Sequence, residues 1–126
     1  MKASIKQFAA ALALGAIATS ASAGMHSSQG VYIQPNGSKP YATGDIGFVY
    51  NSWFSNDYIG CEANAASGDC YAVDVSGLYK TCTTTDPAML TVIRSLKGDS
   101  NIFFSWNPDG TCRDIRVQTD SLRAPK

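Results

Sequence analysis

Apolar residues in this chain first run together and only later alternate with polar ones, and that change of pattern divides it. After Lys2 and Lys6, an uncharged Ala- and Leu-rich run covers residues 7–18, followed by Ser20-Ala21-Ser22-Ala23 before Gly24. A basic start, an apolar core and a small-x-small site predict a signal peptide over residues 1–23, cleaved after Ala23. The apolar core is about a dozen residues, short of the roughly 20 that a membrane span needs. No Cys follows the cleavage site, which argues against a lipid anchor. Residues 24–44 are rich in Gly, Ser, Pro and Asn. They read as a flexible arm whose one apolar patch, Val31-Tyr32-Ile33, could add a short strand before the turn signal Pro35-Asn36-Gly37-Ser38.

The main domain is expected over residues 45–120. Residues 45–59, dense in aromatic and β-branched side chains, predict a long first main strand with Ile46, Phe48, Tyr50 and Phe54 on one side and Val49 and Trp53 on the other. A loop of small residues follows, closed by Cys61 and Cys70. Residues 71–77 then alternate with period two, which places Tyr71, Val73 and Val75 inward on a second strand. One helix is expected: Asp86 as cap, Pro87 at the first helical position, Met89, Val92, Ile93 and Leu96 at helical spacing, Arg94 and Lys97 in the last turns, and Gly98 as its close. Residues 101–106 predict a third strand and residues 111–119 a fourth, with Ile115 and Val117 inward. Between them Asn107-Pro108-Asp109-Gly110 supplies the fixed φ of Pro and a Gly able to take positive φ, the marks of a tight hairpin. The tail, residues 121–126, is polar and expected to fray. The fold class is thus mainly β with one helix (α+β), a small antiparallel sheet or barrel in the order β-β-α-β-β.

Composition narrows the functional classes. Loss of residues 1–23 from the 126-residue chain leaves 103 residues, one small domain. It also removes two lysines, so eight basic residues face ten acids, a net charge near −2. A weakly acidic chain without a basic run lacks the footprint of a nucleic-acid binder. All four cysteines, Cys61, Cys70, Cys82 and Cys112, survive processing, and export carries them to an oxidising compartment, where two disulfides are expected. Zinc is the competitor, but the spacings hold no C-x-x-C knuckle and the one histidine, His26, lies in the arm. No cofactor is expected.

Four cysteines allow three pairings. Element order favours one of them. A helix of about 11 residues rises roughly 16 Å, and a strand of about six residues runs back roughly 20 Å. The hairpin carrying Cys112 then returns to the helix N-terminus beside Cys82, with Cys61 and Cys70 expected at the opposite end of the sheet. The expectation is Cys61–Cys70 and Cys82–Cys112.

Candidate chemistry is sparse. A Ser-His-Asp or Cys-His mechanism needs a histidine placed by the fold, and His26 is the only one. Carboxylates could pair in space, the candidates being Asp57, Glu62, Asp69, Asp74, Asp109 and Asp114, with Asp74 between two valines the first to inspect. More distinctive are aromatic residues among small polar ones: Asn51-Ser52-Trp53, Ser55-Asn56-Asp57-Tyr58 and Ser105-Trp106-Asn107. Such neighbours suit stacking on a sugar or a partner side chain, so Trp53, Tyr58, Trp106 and Asn107 are the candidate ligand contacts, with core packing as the competing role for the tryptophans.

The order strand, Cys-bearing loop, strand, helix and Cys-bearing hairpin, with D-P-A-M-L-T-V-I-R-S-L and N-I-F-F-S-W-N-P-D-G-T-C as its carrying pieces, resembles small secreted bacterial OB-fold-like domains such as the B subunits of AB5 toxins, the subtilase-cytotoxin type included. The resemblance implies a barrel, a pentamer and docking on cell-surface glycans, and it transfers no sugar-contacting residue. The barrel needs a fifth strand, from Val31-Tyr32-Ile33 or from a bend in the long first strand. Together these readings lead to a non-enzymatic, secreted or periplasmic binding module for a glycan or protein surface, without stable membrane insertion and with homo-oligomerisation left open. The alternatives are a structural or inhibitory envelope protein acting through the stapled 61–70 loop, and a carboxylate-dependent hydrolase.

Overall fold

The computed structural model describes residues 29–52 and 56–120. The expected signal peptide, the start of the arm, Trp53, Phe54 and the tail fall outside the described residues. Seven strands form two antiparallel sheets: β1 (Tyr32–Gln34), β2 (Tyr41–Asp45), β3 (Tyr58–Ala63), β4 (Gly68–Val73), β5 (Tyr79–Thr84), β6 (Asn101–Trp106) and β7 (Cys112–Gln118). The first sheet runs β1-β2-β6-β7 and the second β3-β4-β5. Among the described residues two helices complete the fold, α1 (Ile46–Tyr50) and α2 (Pro87–Arg94).

The core is where the sheets' inner faces meet α2. Ile33, Ala42, Ile102, Phe104 and Ile115 come from the first sheet, Ile59, Cys70, Ala72 and Cys82 from the second, and Leu90 and Ile93 from the helix. Phe104 and Ile102 are fully buried. Each core aliphatic or aromatic side chain of this kind is worth about 1.5–3 kcal/mol relative to exposure.

The third strand, the hairpin at residues 107–110 and the fourth strand stand as the pattern predicts. In that turn the Gly110 N–H donates to the Asn107 carbonyl at 3.0 Å, Gly110 takes a φ of 88°, and Asp109 Oδ1 accepts from both the N–H and the hydroxyl of Thr111. Helix α2 also forms as expected: Asp86 Oδ1 accepts the Ala88 N–H at 2.8 Å, Pro87 opens the helix, and Leu90 and Ile93 are buried. It ends at Arg94 and not at Gly98, because the Ser95 hydroxyl donates to the Val92 carbonyl and Ser100 Oγ accepts the Lys97 N–H in a tight turn.

Other expectations are corrected. The long first strand over residues 45–59 does not form: β2 ends at Asp45 and α1 follows at once. Ile46 and Val49, three apart, pack together on the core as helix spacing allows, while Phe48 and Tyr50 are exposed. The Ile46 N–H donates to the Ser100 carbonyl, and Asn51 closes the turn with its Nδ2 on the Gly47 carbonyl at 2.7 Å. Next, the 61–70 segment is a hairpin rather than a loop, since Cys61 lies directly opposite Cys70 in the β3–β4 ladder. The phase of β4 is also inverted: Gly68, Cys70 and Ala72 face inward, Tyr71 and Val73 face out, and Val75 lies past the strand at 73% exposure. At Gly68 nothing larger fits inward because α2 presses there: a Cβ would meet Ile93 Cδ1 at 2.8 Å.

The strand β5, absent from the sequence reading, changes how the cysteines are arranged. Cys70 is the ladder partner of both Cys61 and Cys82, and Cys82 bonds Cys112, so the four cysteines form one row across β3, β4, β5 and β7. Cys61–Cys70 and Cys82–Cys112 are therefore the pairs, but Cys61 and Cys70 are not at the far end of the sheet. Beside Cys82–Cys112, a parallel bridge between Thr83 and Thr111 is the described backbone link between the sheets. The arm, in turn, contributes β1 and β2, and β2 lies in the middle of its sheet.

Two acidic turns are expected to make the stability depend on pH. Asp74 is held below the ordinary carboxylate pKa chiefly by the Ser76 hydroxyl and further by backbone N–H groups of its turn, and Asp109 likewise by the Thr111 hydroxyl and N–H. A carboxylate whose pKa is lowered on folding stabilises the fold above its unfolded value, and the benefit is lost as pH falls through the folded one. The urea midpoint of the wild type should therefore exceed that of an Asp74→Asn, Asp109→Asn double variant at neutral pH. The difference should close below pH about 4. A pH-independent difference would mean that the charges are not what holds these turns.

Candidate functional site

Period-two alternation exposes one face of the β1-β2-β6-β7 sheet. While Ile33, Ala42, Ile102, Phe104 and Ile115 turn inward, Tyr32, Tyr41, Phe103 and Arg116 turn out and touch in a row across four strands. The Tyr32 and Tyr41 ring centroids are 6.0 Å apart and tilted, and those of Tyr41 and Phe103 are 5.2 Å apart and stacked at 24°. The Arg116 guanidinium lies over the Phe103 ring at 4.7 Å, and its Nε donates to Asp114 Oδ2 at 2.8 Å. Both members of that pair are solvent-exposed, so the bridge adds at most about 1 kcal/mol to stability; its effect is to fix the guanidinium over the ring.

A β-bulge between Ser105 and Trp106 sets the far end of the row. Ser105 pairs with Asp114 and Trp106 with Cys112, so Arg113 is the extra residue. Its Nη1 donates to the Ser38 carbonyl in the β1–β2 turn at 2.8 Å. Arg113 thereby stands between two shallow depressions. One, of about 450 Å³, is floored by Tyr41 and Phe103 and edged by Lys39, Ser105, Arg113 and Arg116. The other, of about 360 Å³, is lined by Pro35, Pro40, Trp106, Asn107 and Pro108. Three cations and Asp114 surround the first depression, a positive patch on a chain whose acids and bases balance overall.

Of the residues the sequence singles out, Trp106 and Asn107 come together here. Trp106 packs on Phe104 at a centroid distance of 5.8 Å and also lines the second depression. Asn107 donates its Nδ2 to the Thr111 hydroxyl and its N–H to the Thr111 carbonyl, so its carboxamide is engaged in the turn. Tyr58 lies elsewhere, on the outer face of the second sheet, where it meets Tyr71 edge-on at 5.9 Å. Tyr71 in turn covers Gly60, at which an added Cβ would come within 3.1 Å of its hydroxyl. Trp53 lies outside the described residues.

Phe103, Arg113 and Arg116 were not singled out from sequence. One signal was available for Phe103: in a strand, Phe103 and Phe104 must face opposite ways, so one of the two had to be on the surface. Arg113 had no such signal, because its direction depends on the bulge.

The acids are mostly scattered. Asp57 is buried and accepts the Val31 N–H, Asp74 and Asp109 close turns, and Asp114 pairs with Arg116. Glu62 and Asp69 do meet, as ladder partners beside the 64–67 hairpin tip, where Asp69 Oδ1 accepts the Thr83 hydroxyl at 2.6 Å. Among the described residues no three His, Cys, Asp or Glu side chains group as a metal site, and no helix is long and apolar enough to cross a membrane. Comparison of the chain with protein-family models, curated proteins and solved structures returned no match.

Proposed function

We propose that this chain is an exported, non-enzymatic binding module that holds a glycan against the outer face of its four-stranded sheet. The observation that carries the reading is the row Tyr32–Tyr41–Phe103–Arg116 with Trp106 beside it. Flat rings offer apolar area to the C–H face of a sugar, while the Ser105 hydroxyl, Lys39 and the arginines stand at its edge to bond hydroxyls. The arginines are already held, Arg116 by Asp114 and Phe103 and Arg113 by the Ser38 carbonyl, so little side-chain freedom remains to be lost on binding. A leader over residues 1–23 and disulfides formed outside the cytoplasm fit this role, as does the resemblance to AB5 B subunits.

A glycan array probed with the processed protein tests the reading. Replacement of Phe103 by Ala should weaken the strongest glycan about tenfold or more, corresponding to roughly 1.4 kcal/mol, while the fold survives with a loss of about 1 kcal/mol from the ring contacts to Tyr41 and Arg116. Tyr58→Ala should leave binding as it is. Unchanged binding in Phe103→Ala, or loss in Tyr58→Ala, would refute the assignment to this face.

One observation favours a second reading, insertion of the β3–β4 hairpin into a protein cleft. The tip is exposed yet stiff: Asn64 Oδ1 accepts the N–H groups of Ala66 and Ser67, and Arg94 Nη2 donates to the Asn64 carbonyl. Substitutions at Ala65 and Ala66 separate the readings, since they should spare glycan binding and abolish capture by a cleft.

A further inference from the structure

The β1–β2 turn contains the chain's one Asn-Gly pair, Asn36-Gly37. Both residues are exposed, and Gly37 takes a φ of 90° with nothing within 4 Å of the position a Cβ would occupy. The Asn36 backbone N–H is bonded to Gln34 Oε1. Among the described residues, however, neither the Asn36 carboxamide nor the Gly37 N–H has a hydrogen-bond partner. Other sites differ in this respect. Asn64 Oδ1 is held by two N–H groups, Asn101 is buried, Asn107 precedes a proline with no N–H, and in the related Asp109-Gly110 pair both the carboxylate and the Gly110 N–H are bonded.

We propose that Asn36 is a site of spontaneous modification that adds a negative charge beside the cationic rim of the binding face. The Gly37 nitrogen attacks Asn36 Cγ; the new C–N bond closes a succinimide ring, the Cγ–amide bond breaks, and ammonia leaves with the proton lost from Gly37. Water then opens the ring at either carbonyl and yields aspartate or isoaspartate. No electrons are transferred, and the net change is amide plus water to carboxylate plus ammonium. Gly37 permits the reaction because it has no side chain to crowd the ring and readily visits positive φ.

The placement gives the change a consequence. Residue 36 is two positions from Ser38, whose carbonyl holds Arg113, and Gly37 and Ser38 line the same depression as Trp106. A carboxylate introduced there competes for the Arg113 guanidinium and draws it from the ligand. This second step rests on the glycan reading, whereas the modification itself does not.

The test is to hold the purified processed protein at neutral to mildly alkaline pH and 37 °C and to follow it by peptide mass mapping, anion exchange and enzymatic isoaspartate methylation. The expected result is a later-eluting species whose mass gain of an amide-to-acid conversion maps to Asn36, absent from Asn36→Gln. Retention of the Asn36 amide, or earlier conversion at another asparagine, overturns the proposal. With a glycan from the array, aged wild type should bind several-fold more weakly than aged Asn36→Gln. Equal binding by the two despite mapped conversion overturns the role at the rim. If fresh protein binds no glycan, the glycan reading fails while the mass map still decides the modification.

Discussion

Removing Cys82–Cys112 by joint Cys82→Ala and Cys112→Ala replacement should cost about 3–5 kcal/mol. The chain-entropy share alone, for the 31-residue loop it closes, is about 3.7 kcal/mol. Against a net stability of about 5–15 kcal/mol for a domain of this kind, that loss is enough to leave much of the variant unfolded at 37 °C. Geometry makes this bridge the more important of the two. It fastens β5 to β7, hence one sheet to the other, where the Thr83–Thr111 bridge is the described backbone link. The other bridge joins ladder partners that the hairpin already holds together. Joint Cys61→Ala and Cys70→Ala replacement should therefore cost less than the roughly 2.7 kcal/mol its loop length implies. Both cysteines of a pair must be changed together: with Cys112 absent, the Cys82 thiol would stand beside Cys70 in the ladder and could exchange with its disulfide. Urea midpoints of the two double variants decide the matter, and equal losses would contradict the assignment of the seam to Cys82–Cys112.

A second large effect is expected at Asp45, which is 2% exposed. Its Oδ2 accepts the Gln29 N–H at 2.9 Å and its Oδ1 the Asn101 Nδ2 at 2.7 Å, so one carboxylate ties the chain before β1 and the start of β6 to the end of β2. Asp45→Ala takes the acceptor from the Gln29 N–H and one of two acceptors from Asn101 Nδ2, which keeps Gln29 Oε1 at 3.2 Å, so at about 1–3 kcal/mol for an unsatisfied group the fold should lose about 1–3 kcal/mol. Asp45→Asn should recover part of this, because its carbonyl oxygen can still accept one of the two bonds while its N–H₂ group faces the other donor. Chemical denaturation of the two variants provides the check; a loss below about 0.5 kcal/mol for Asp45→Ala, the range of ordinary surface changes, would show that the carboxylate holds nothing.

The elements legible in the sequence are those whose signals are local. Asp86-Pro87 opens α2 by chemistry confined to its first turn, and Asn107-Pro108-Asp109-Gly110 makes its turn from residues that bond one another. Elements decided by distant packing were misread. Tyr71, Val73 and Val75 have the more apolar side chains of the 68–75 stretch, yet α2 leaves room only for a glycine at position 68, and the strand turns Gly68, Cys70 and Ala72 inward. Strand β5, with the sequence Tyr-Lys-Thr-Cys-Thr-Thr, has a polar face on a middle-weight background and shows no apolar alternation, although Cys82 and Thr84 are buried. Residues 46–50 carry strand-forming side chains but are bent into a helical turn by contacts with Ser100 and Asn51. The candidate face was half legible for the same reason: Trp106 and Asn107 adjoin a turn that could be read, whereas Arg113 owes its direction to a strand irregularity.

That irregularity also settles a conflict of parity. Cys112 and Ile115 are both buried, one to reach Cys82 and the other to meet the helix and β6, yet an odd number of positions separates them and an uninterrupted strand would send them to opposite sides. The chain resolves this by a single step out of phase, and the residue spent on the step is the arginine that projects beside the aromatic row. Excising position 113 would therefore leave Cys112 and Ile115 two apart on an unbroken ladder, both still facing inward, and would remove only the arginine beside the aromatic row, so the one-residue offset serves the outer chemistry alone.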